Sequence, residues 1–244
     1  MKINSLTLWT SNLSEQHRFY CLALGLRDLN TAAEPGRVTV QIGGTILTFQ
    51  QAEAGWRGRY HFALDVPPDR YDEARLWLAH RAHALADAAG QKYFYHQGWN
   101  ARSVYFLDPA GNVLELIARY GRQKPPVGPA DSMADLPPSE HRFGPHDLLA
   151  ISEIGMATDH VEGAAAALIA NVPGLEVYEP GDTDSFRALG DEQGLLILVR
   201  RGRIWFPETG VAADQLPVEV SFEMPHGQTY HLTAPPYPFQ VRPT

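Results

Sequence analysis

The sequence predicts an α+β fold built from tandem β-α-β-β-β modules. Three observations point that way: the order strand–helix–strand–strand–strand reads off residues 1–50, it restarts at Tyr60, and it restarts again at Ile151. Self-similarity at a fixed period marks repeated supersecondary units, each too small to bury its apolar face alone. Two complete N-terminal modules, a third, and a truncated fourth account for the chain.

In the first module, Ser5–Thr10 alternates apolar and polar residues as a half-buried strand does. Ser14–Leu24 reads as a helix, with Ser14 able to cap it, Phe19, Leu22 and Leu24 apolar, and Gly25 ending it. A short strand is expected around Leu26–Asn30. Arg37–Ile42 and Thr45–Gln50 then form a hairpin through Gly43-Gly44, a dipeptide suited to a two-residue turn. In the second module Tyr60–Val66 is a strand, and Pro67-Pro68-Asp69 leads into a helix with Tyr71, Ala74, Leu76, Trp77 and Leu78 inward. Strands Ala101–Leu107 and Val113–Arg119 flank Asp108-Pro109-Ala110-Gly111-Asn112, where Pro sets φ and Gly and Asn accept positive φ.

The third module repeats the order with strand Ile151–Ala157, helix Val161–Ala170, and strands Ser185–Leu189 and Leu195–Val199. Val218–Met224 opens a fourth, but the tail after Pro225 carries four prolines without helical period and reads as extended coil. Gly121–Asp147 is Pro-rich and lacks aliphatic periodicity, as a linker does. The expected division is paired modules over 1–120, a linker over 121–148, and the third module with the truncated fourth over 149–244.

An apolar fraction of 44% supports a proper core and excludes disorder along the whole chain. The formal charge of -8, with no Lys/Arg block, argues against nucleic acid as a partner. Cys21 stands alone, which excludes a disulfide framework and multi-cysteine zinc or iron–sulfur sites. No run approaches the roughly 18 apolar residues of a membrane span, and the N-terminus has no apolar leader core, so a cytoplasmic protein without membrane partners is expected. Nucleophile-elbow, dinucleotide and Walker-type motifs are absent.

Three stretches carry a resemblance to a known family: Asn12-Leu13 with Phe19-Tyr20 and Leu24-Gly25-Leu26, Tyr105 through Leu116 with its Asp-Pro-x-Gly-Asn-x-x-Glu-Leu pattern, and Ile154–Ala157 with Pro173–Glu176. The chain resembles the vicinal oxygen chelate superfamily, which includes glyoxalases, bleomycin-binding proteins and extradiol dioxygenases. The resemblance implies a cup-shaped mixed sheet and a divalent ion held by the first and last strands of paired modules. Aligning the repeats internally sets Thr48 against Glu115 and Ser5 against His61. His61 and Glu115 are then the expected metal ligands, with Glu115 also catalytic, and Ser5 and Thr48 complete the cup or touch substrate. The ion would be Fe, Mn, Ni or Zn, or none.

A catalytic ion usually needs at least three protein ligands and an open position. An Fe²⁺ oxygenase wants two histidines and a carboxylate, and His96, in the loop Tyr95–Asn100, is the best candidate for the second; a plain exposed histidine is the other reading. Trp99 and Asn100 are placed at the cup mouth as substrate-binding residues, with a cover for the open sheet edge as the equal reading of Trp99. Ser103 and Tyr105 share one strand face, and Tyr105 is a further substrate-binding candidate. The corresponding positions in later modules are Glu153, Leu198 and Glu219, a pair of carboxylates without a histidine, so the chemistry is expected in the N-terminal cup. Cys21 reads as an inert thiol with no nearby histidine, and Arg200-Arg201-Gly202-Arg203 as a solvated turn rather than an anion site. The resulting expectation is a metal-dependent enzyme, a glyoxalase-like lyase or isomerase or a dioxygenase, acting on a small organic molecule. The alternative is a metal-free binding protein of the bleomycin-resistance type. A homodimer is expected because an unpaired third module has open strands to cover.

Overall fold

The computed structural model describes residues 1–30, 35–121, 142–179, 184–235 and 239–244. Most of the expected linker, with its acidic stretch Asp131–Glu140, lies outside the described residues. The first module comprises β1 (Lys2–Thr10), α1 (Leu13–His17), β2 (Arg27–Asp28), β3 (Arg37–Ile42) and β4 (Thr45–Gln51). The second comprises β5 (His61–Asp65), α2 (Tyr71–Ala79), β6 (Tyr93–His96), β7 (Ala101–Leu107) and β8 (Val113–Arg119). β9 (Ala150–Thr158), α3 (Val161–Asn171), β10 (Val177–Glu179), β11 (Phe186–Asp191) and β12 (Gly194–Arg200) form the third. β13 (Val218–Glu223), β14 (Thr229–Ala234) and β15 (Gln240–Pro243) form the fourth, which has no helix.

The α+β class and the modular order are therefore as the sequence predicts. The partnering of modules is not. One sheet has the order β15-β14-β13-β1-β4-β3-β2, and the other β10-β11-β12-β9-β5-β8-β7-β6. The first module thus pairs with the fourth through antiparallel β1 and β13, and the second with the third through antiparallel β5 and β9. Every module offers the same free edge, its first strand, so local patterning cannot say which two edges meet. This pairing also leaves no unpaired third module, which removes the ground for expecting a second copy to cover it.

Within each complete module the first and last strands run parallel, as β1 does with β4, β5 with β8 and β9 with β12. Parallel neighbours need a long crossover, and the helices occupy it. The large apolar core takes side chains from both sheets and all three helices, among them Leu8, Tyr20, Leu64, Tyr71, Ile154 and Leu168. Thr45 clasps the sheets together: its hydroxyl donates to the Ile3 carbonyl (2.7 Å) and accepts from the Ile151 amide (3.0 Å). The adjoining Gly43, at φ +50°, admits no side chain, because a Cβ there would lie 2.0 Å from the Leu149 carbonyl oxygen.

Several local expectations change. Asn12, not Ser14, caps α1 by accepting from the Glu15 amide, and the helix widens into a π-helical turn over Arg18–Ala23 that leaves Leu22 72% exposed. Tyr93–His96 is a strand, not part of a loop, paired to β7. The tail is not coil. Tyr230, Leu232 and Ala234 alternate inward, and Pro243 sits on the edge strand β15, where a missing amide does no harm. No helix among the described residues is long and apolar enough to cross a membrane.

Candidate metal centre in the second sheet

Strand register assembles the site. β5 and β8 pair His61 with Val113 and Ala63 with Glu115, while β9, on the other side of β5, sets Glu153 opposite Ala63. Paired residues share a sheet face, so Glu115, Ala63 and Glu153 form a row across three strands, with His61 two residues along from Ala63. The small Ala63 lets the flanking carboxylates converge. Ligand atoms of His61, Glu115 and Glu153 all lie within 4.8 Å of one another. None of the three residues is more than 6% exposed.

The imidazole is oriented for ligation. His61 Nδ1 donates to the Val113 carbonyl (3.0 Å), which leaves Nε2 as an acceptor, 3.8 Å from Glu115 Oε2. Burial lowers its pKa to about 4, so the ring is neutral at pH 7. Glu115 is pushed up by burial and then by the charge of Glu153, against the hydroxyls of Tyr105 and Ser103, which hold it down. Glu153 is also pushed up by burial, and Arg119 opposes this. The Arg119 guanidinium pairs with Glu153 Oε1, donates to Ser152 Oγ (2.9 Å) and lies 3.6 Å from Asp65 Oδ1. Two buried carboxylates that resist ionisation beside a neutral, free imidazole nitrogen are a donor set that a divalent cation would satisfy.

Above this cluster lies a cavity of about 300 Å³. Its walls include Trp99, Phe186, Ile197, Trp205 and Phe206. The indole of Trp205 lies against the His61 ring, with centroids 4.8 Å apart, in space that Gly155 leaves open: a Cβ at 155 would come within 2.5 Å of Trp205.

The expected site residues divide between the two sheets. His61 and Glu115 meet as expected, but Ser5 and Thr48 lie in the other sheet, because module one pairs with module four. There Thr48 contacts Thr39 through its hydroxyl (3.3 Å), and Ser5 is paired with Ser221 and Ile46. Glu153, set aside as part of an inactive half, is the third member of the cluster. The fourth place falls to Ile197, not Leu198, since Glu153 pairs with Leu195 and Gly155 with Ile197.

His96 and Tyr105 line the cavity with Trp99. His96 Nε2 contacts Ser103 Oγ (2.8 Å) and Tyr105 Oη (3.2 Å) and stands outside the cluster; burial lowers its pKa. Asn100 does not line the cavity. At φ +44° it ends a 3-10 turn, accepts from the Tyr95 hydroxyl and donates to the Gly121 carbonyl (2.7 Å). Cys21 does have a histidine nearby: His17, one helical turn back, groups with it and with Asp28. Burial and then Asp28 raise the thiol to about 11, so it stays protonated and inert. Sequence reasoning missed Trp205 and Phe206 as cavity residues and read Arg203 as part of a solvated turn, whereas it lines the cavity; no spacing signal ties that connection to the cup.

Residues 5–117 match the model of a glyoxalase-like domain. No curated protein matches the chain. Over 96% of this chain and 81% of the other, the fold is similar to that of a Bacillus subtilis subsp. subtilis str. 168 protein provisionally described as a dioxygenase, at 18% identity and TM-score 0.56. A glyoxalase/bleomycin resistance protein/dioxygenase from Nocardioides aligns over 53% of this chain and 90% of its own, at 25% identity and TM-score 0.40. Lactoylglutathione lyase from Agrobacterium tumefaciens aligns over 47% of this chain and 90% of its own, at 22% identity and TM-score 0.38. Residues 5–117 thus carry the glyoxalase-like sequence match, and their two β-α-β-β-β modules, one in each sheet, have the architecture of the vicinal oxygen chelate superfamily.

Proposed function

We propose that this protein is a metal-dependent vicinal oxygen chelate enzyme whose active site is the cup of the second sheet. His61, Glu115 and Glu153 hold the ion. The carrying observation is the convergence of these three buried donors under a half-open, largely apolar cavity. Such an ion supplies Lewis acidity, stabilising negative charge on two neighbouring oxygens of a small organic substrate.

The chain's own residues do the rest. Arg119, on the same face of β8 as Glu115 and itself held by Ser152, fixes Glu153, so that carboxylate has little freedom to move. Glu115 sits next to the Tyr105 and Ser103 hydroxyls, which places it to take up and return a proton at its carboxylate oxygen. Trp205 and Phe206 exclude water from one side. One imidazole with two carboxylates departs from the two-histidine, one-carboxylate set of Fe²⁺ oxygenases. His96 does not supply the missing imidazole, because its Nε2 is engaged by Ser103 and Tyr105. This favours redox-neutral isomerase or lyase chemistry over ring cleavage.

Elemental analysis of untagged protein, purified without chelator, tests the reading. About one equivalent of Mn, Fe, Ni or Zn is expected, with loss in Glu115→Gln and in His61→Ala. Metal content unchanged by both substitutions would sink it. One observation favours the second reading, a metal-free binding cup: Arg119 already gives Glu153 a counter-charge. A protein that takes up no added divalent ion yet binds apolar ligands would establish that alternative.

A further inference from the structure

The connection from β12 to β13 forms a hairpin over residues 200–213. Gly202 N–H donates to the Ala213 carbonyl (2.7 Å), Ala213 N–H to the Arg203 carbonyl (2.8 Å), and Trp205 N–H to the Val211 carbonyl (3.0 Å). This hairpin supplies Arg203, Trp205 and Phe206 to the cavity wall, and so forms the mouth of the cup. Phe206 packs edge-on against Phe94 (4.7 Å between centroids) and Tyr105 (5.2 Å), which ties the hairpin to the opposite wall.

Arg203 differs from the other cavity residues. It is the one arginine or lysine among the lining residues. Its guanidinium lies 5.1 Å over the ring of Phe186, another wall residue. Nη1 donates to the Ser185 carbonyl and hydroxyl over 3.3 and 3.4 Å, at the long end of hydrogen bonding. No carboxylate pairs with it among the described residues, whereas Arg119, Arg187 and Arg201 each have one. The cavity is therefore polarised, with carboxylates buried at its floor and an unneutralised, stacked guanidinium at its exposed end.

We propose that Arg203 anchors a carboxylate of the substrate, which makes the substrate class a small, flat, largely apolar carboxylic acid. Its charged end lies at the hairpin and its neighbouring oxygens face the acidic floor. A planar guanidinium matches a carboxylate through two parallel N–H···O bonds, and the Phe186 ring holds the fork in place. The aromatic walls accept the flat body, and a cavity of about 300 Å³ sets an upper size at the small end of ligand sites. This assignment rests on the cup being the active site.

Titration calorimetry with 2-naphthoate and its neutral isostere 2-naphthamide tests it, on chelator-treated and on metal-loaded protein. Wild type should bind the carboxylate about tenfold more tightly than the amide in both states. Arg203→Gln should abolish that preference and leave amide binding unchanged, and Arg203→Lys, which keeps charge but not the fork, should restore part of it. Equal affinities in wild type, a preference that survives Arg203→Gln, or no binding of either probe would overturn the proposal. A preference seen only with metal and retained in Arg203→Gln would mean that the ion, not Arg203, reads the carboxylate. The two readings fail separately: metal content unaffected by both Glu115→Gln and His61→Ala refutes the metal centre while leaving the anchor intact, and normal metal content without a carboxylate preference refutes the anchor alone.

Discussion

Across β8, β5 and β9 the register lines up Glu115, Ala63 and Glu153 beside His61, and across β4, β1 and β13 it lines up Thr48, Thr7 and Glu219 beside Ser5. The geometry of the two sheets is the same at these places and the chemistry is not. In the second sheet the donors are buried and roofed by the 200–213 hairpin. In the first, Ser5, Thr48 and Glu219 are half-buried, and hydroxyls stand where His61 and Glu115 stand in the other. Shared topology places side chains at a cup; burial and donor type decide whether that place perturbs anything. Carboxylates taken out of water need a counter-charge, which the second sheet provides through Arg119 and leaves partly unmet at Glu115.

The largest expected contrast is in stability. Arg119→Met leaves Glu153 and Asp65 without their buried partner and should cost about 3–5 kcal/mol in denaturant unfolding. Glu219→Ala, at the position matching Glu153 in the other sheet, should stay within about 0.5 kcal/mol. Comparable effects would show that the two sheets do not differ energetically. Gly155→Val comes next. Its side chain needs the space held by Trp205, so overpacking of about 1–3 kcal/mol and a shifted tryptophan emission are expected. Ser221→Val, two residues beyond Glu219 as Gly155 is beyond Glu153, should change neither measurably. An unshifted emission in Gly155→Val would mean that Trp205 does not rest on His61.

The pH dependence of chelator-treated protein should be smaller and has a definite sign. Glu115 and Glu153 keep their protons to higher pH folded than unfolded, so their contribution is full below about 4.5 and is lost as pH rises through their raised values. His61 works oppositely: its folded value of about 4 lies below 6.5, so stability falls as pH drops through that window. Thermal unfolding of the chelated protein should therefore weaken from about pH 6.5 toward pH 8, and Glu115→Gln should flatten the decline. Stability that rises over that range would contradict the burial of the two carboxylates. The smallest effect is expected from grafting. Ser5→His with Thr48→Glu rebuilds the donor set around Glu219 and should add a second, weaker equivalent of bound ion, detectable by equilibrium dialysis. No added binding would show that the roof and the buried counter-charge matter more than the donors.

Much of this architecture was legible from residue order. The strands Arg37–Ile42, Ala101–Leu107 and Val113–Arg119 have the bounds their alternation and turns announce. The Asp108–Asn112 turn explains why such short motifs are readable: Asp108 accepts from the Ala110 and Asn112 amides, from Gln16 (2.6 Å) and from Tyr20 (3.0 Å), while Asn112 accepts from the Tyr60 amide. Only the Ala110 and Asn112 amides lie within four residues, and they are the contacts that define the turn; Gln16, Tyr20 and Tyr60 come from 52 to 92 residues away and dock onto it in the folded chain. The internal alignment of His61 with Ser5 and Glu115 with Thr48 also agrees with the strand register, because both depend on positions within one module.

The sequence by itself therefore determined the module, its elements, and the positions of the two residues, His61 and Glu115, that a single module contributes to the buried cluster. Tertiary structure alone decided which module each one joins. That choice moved Ser5 and Thr48 away from the centre, brought Glu153 and Arg119 into it, and set Trp205, Phe206 and Arg203 over its mouth. The physical reason is that turns, caps and strand alternation are short-range preferences, whereas the pairing of equivalent first-strand edges is settled by the burial of the whole core between two sheets.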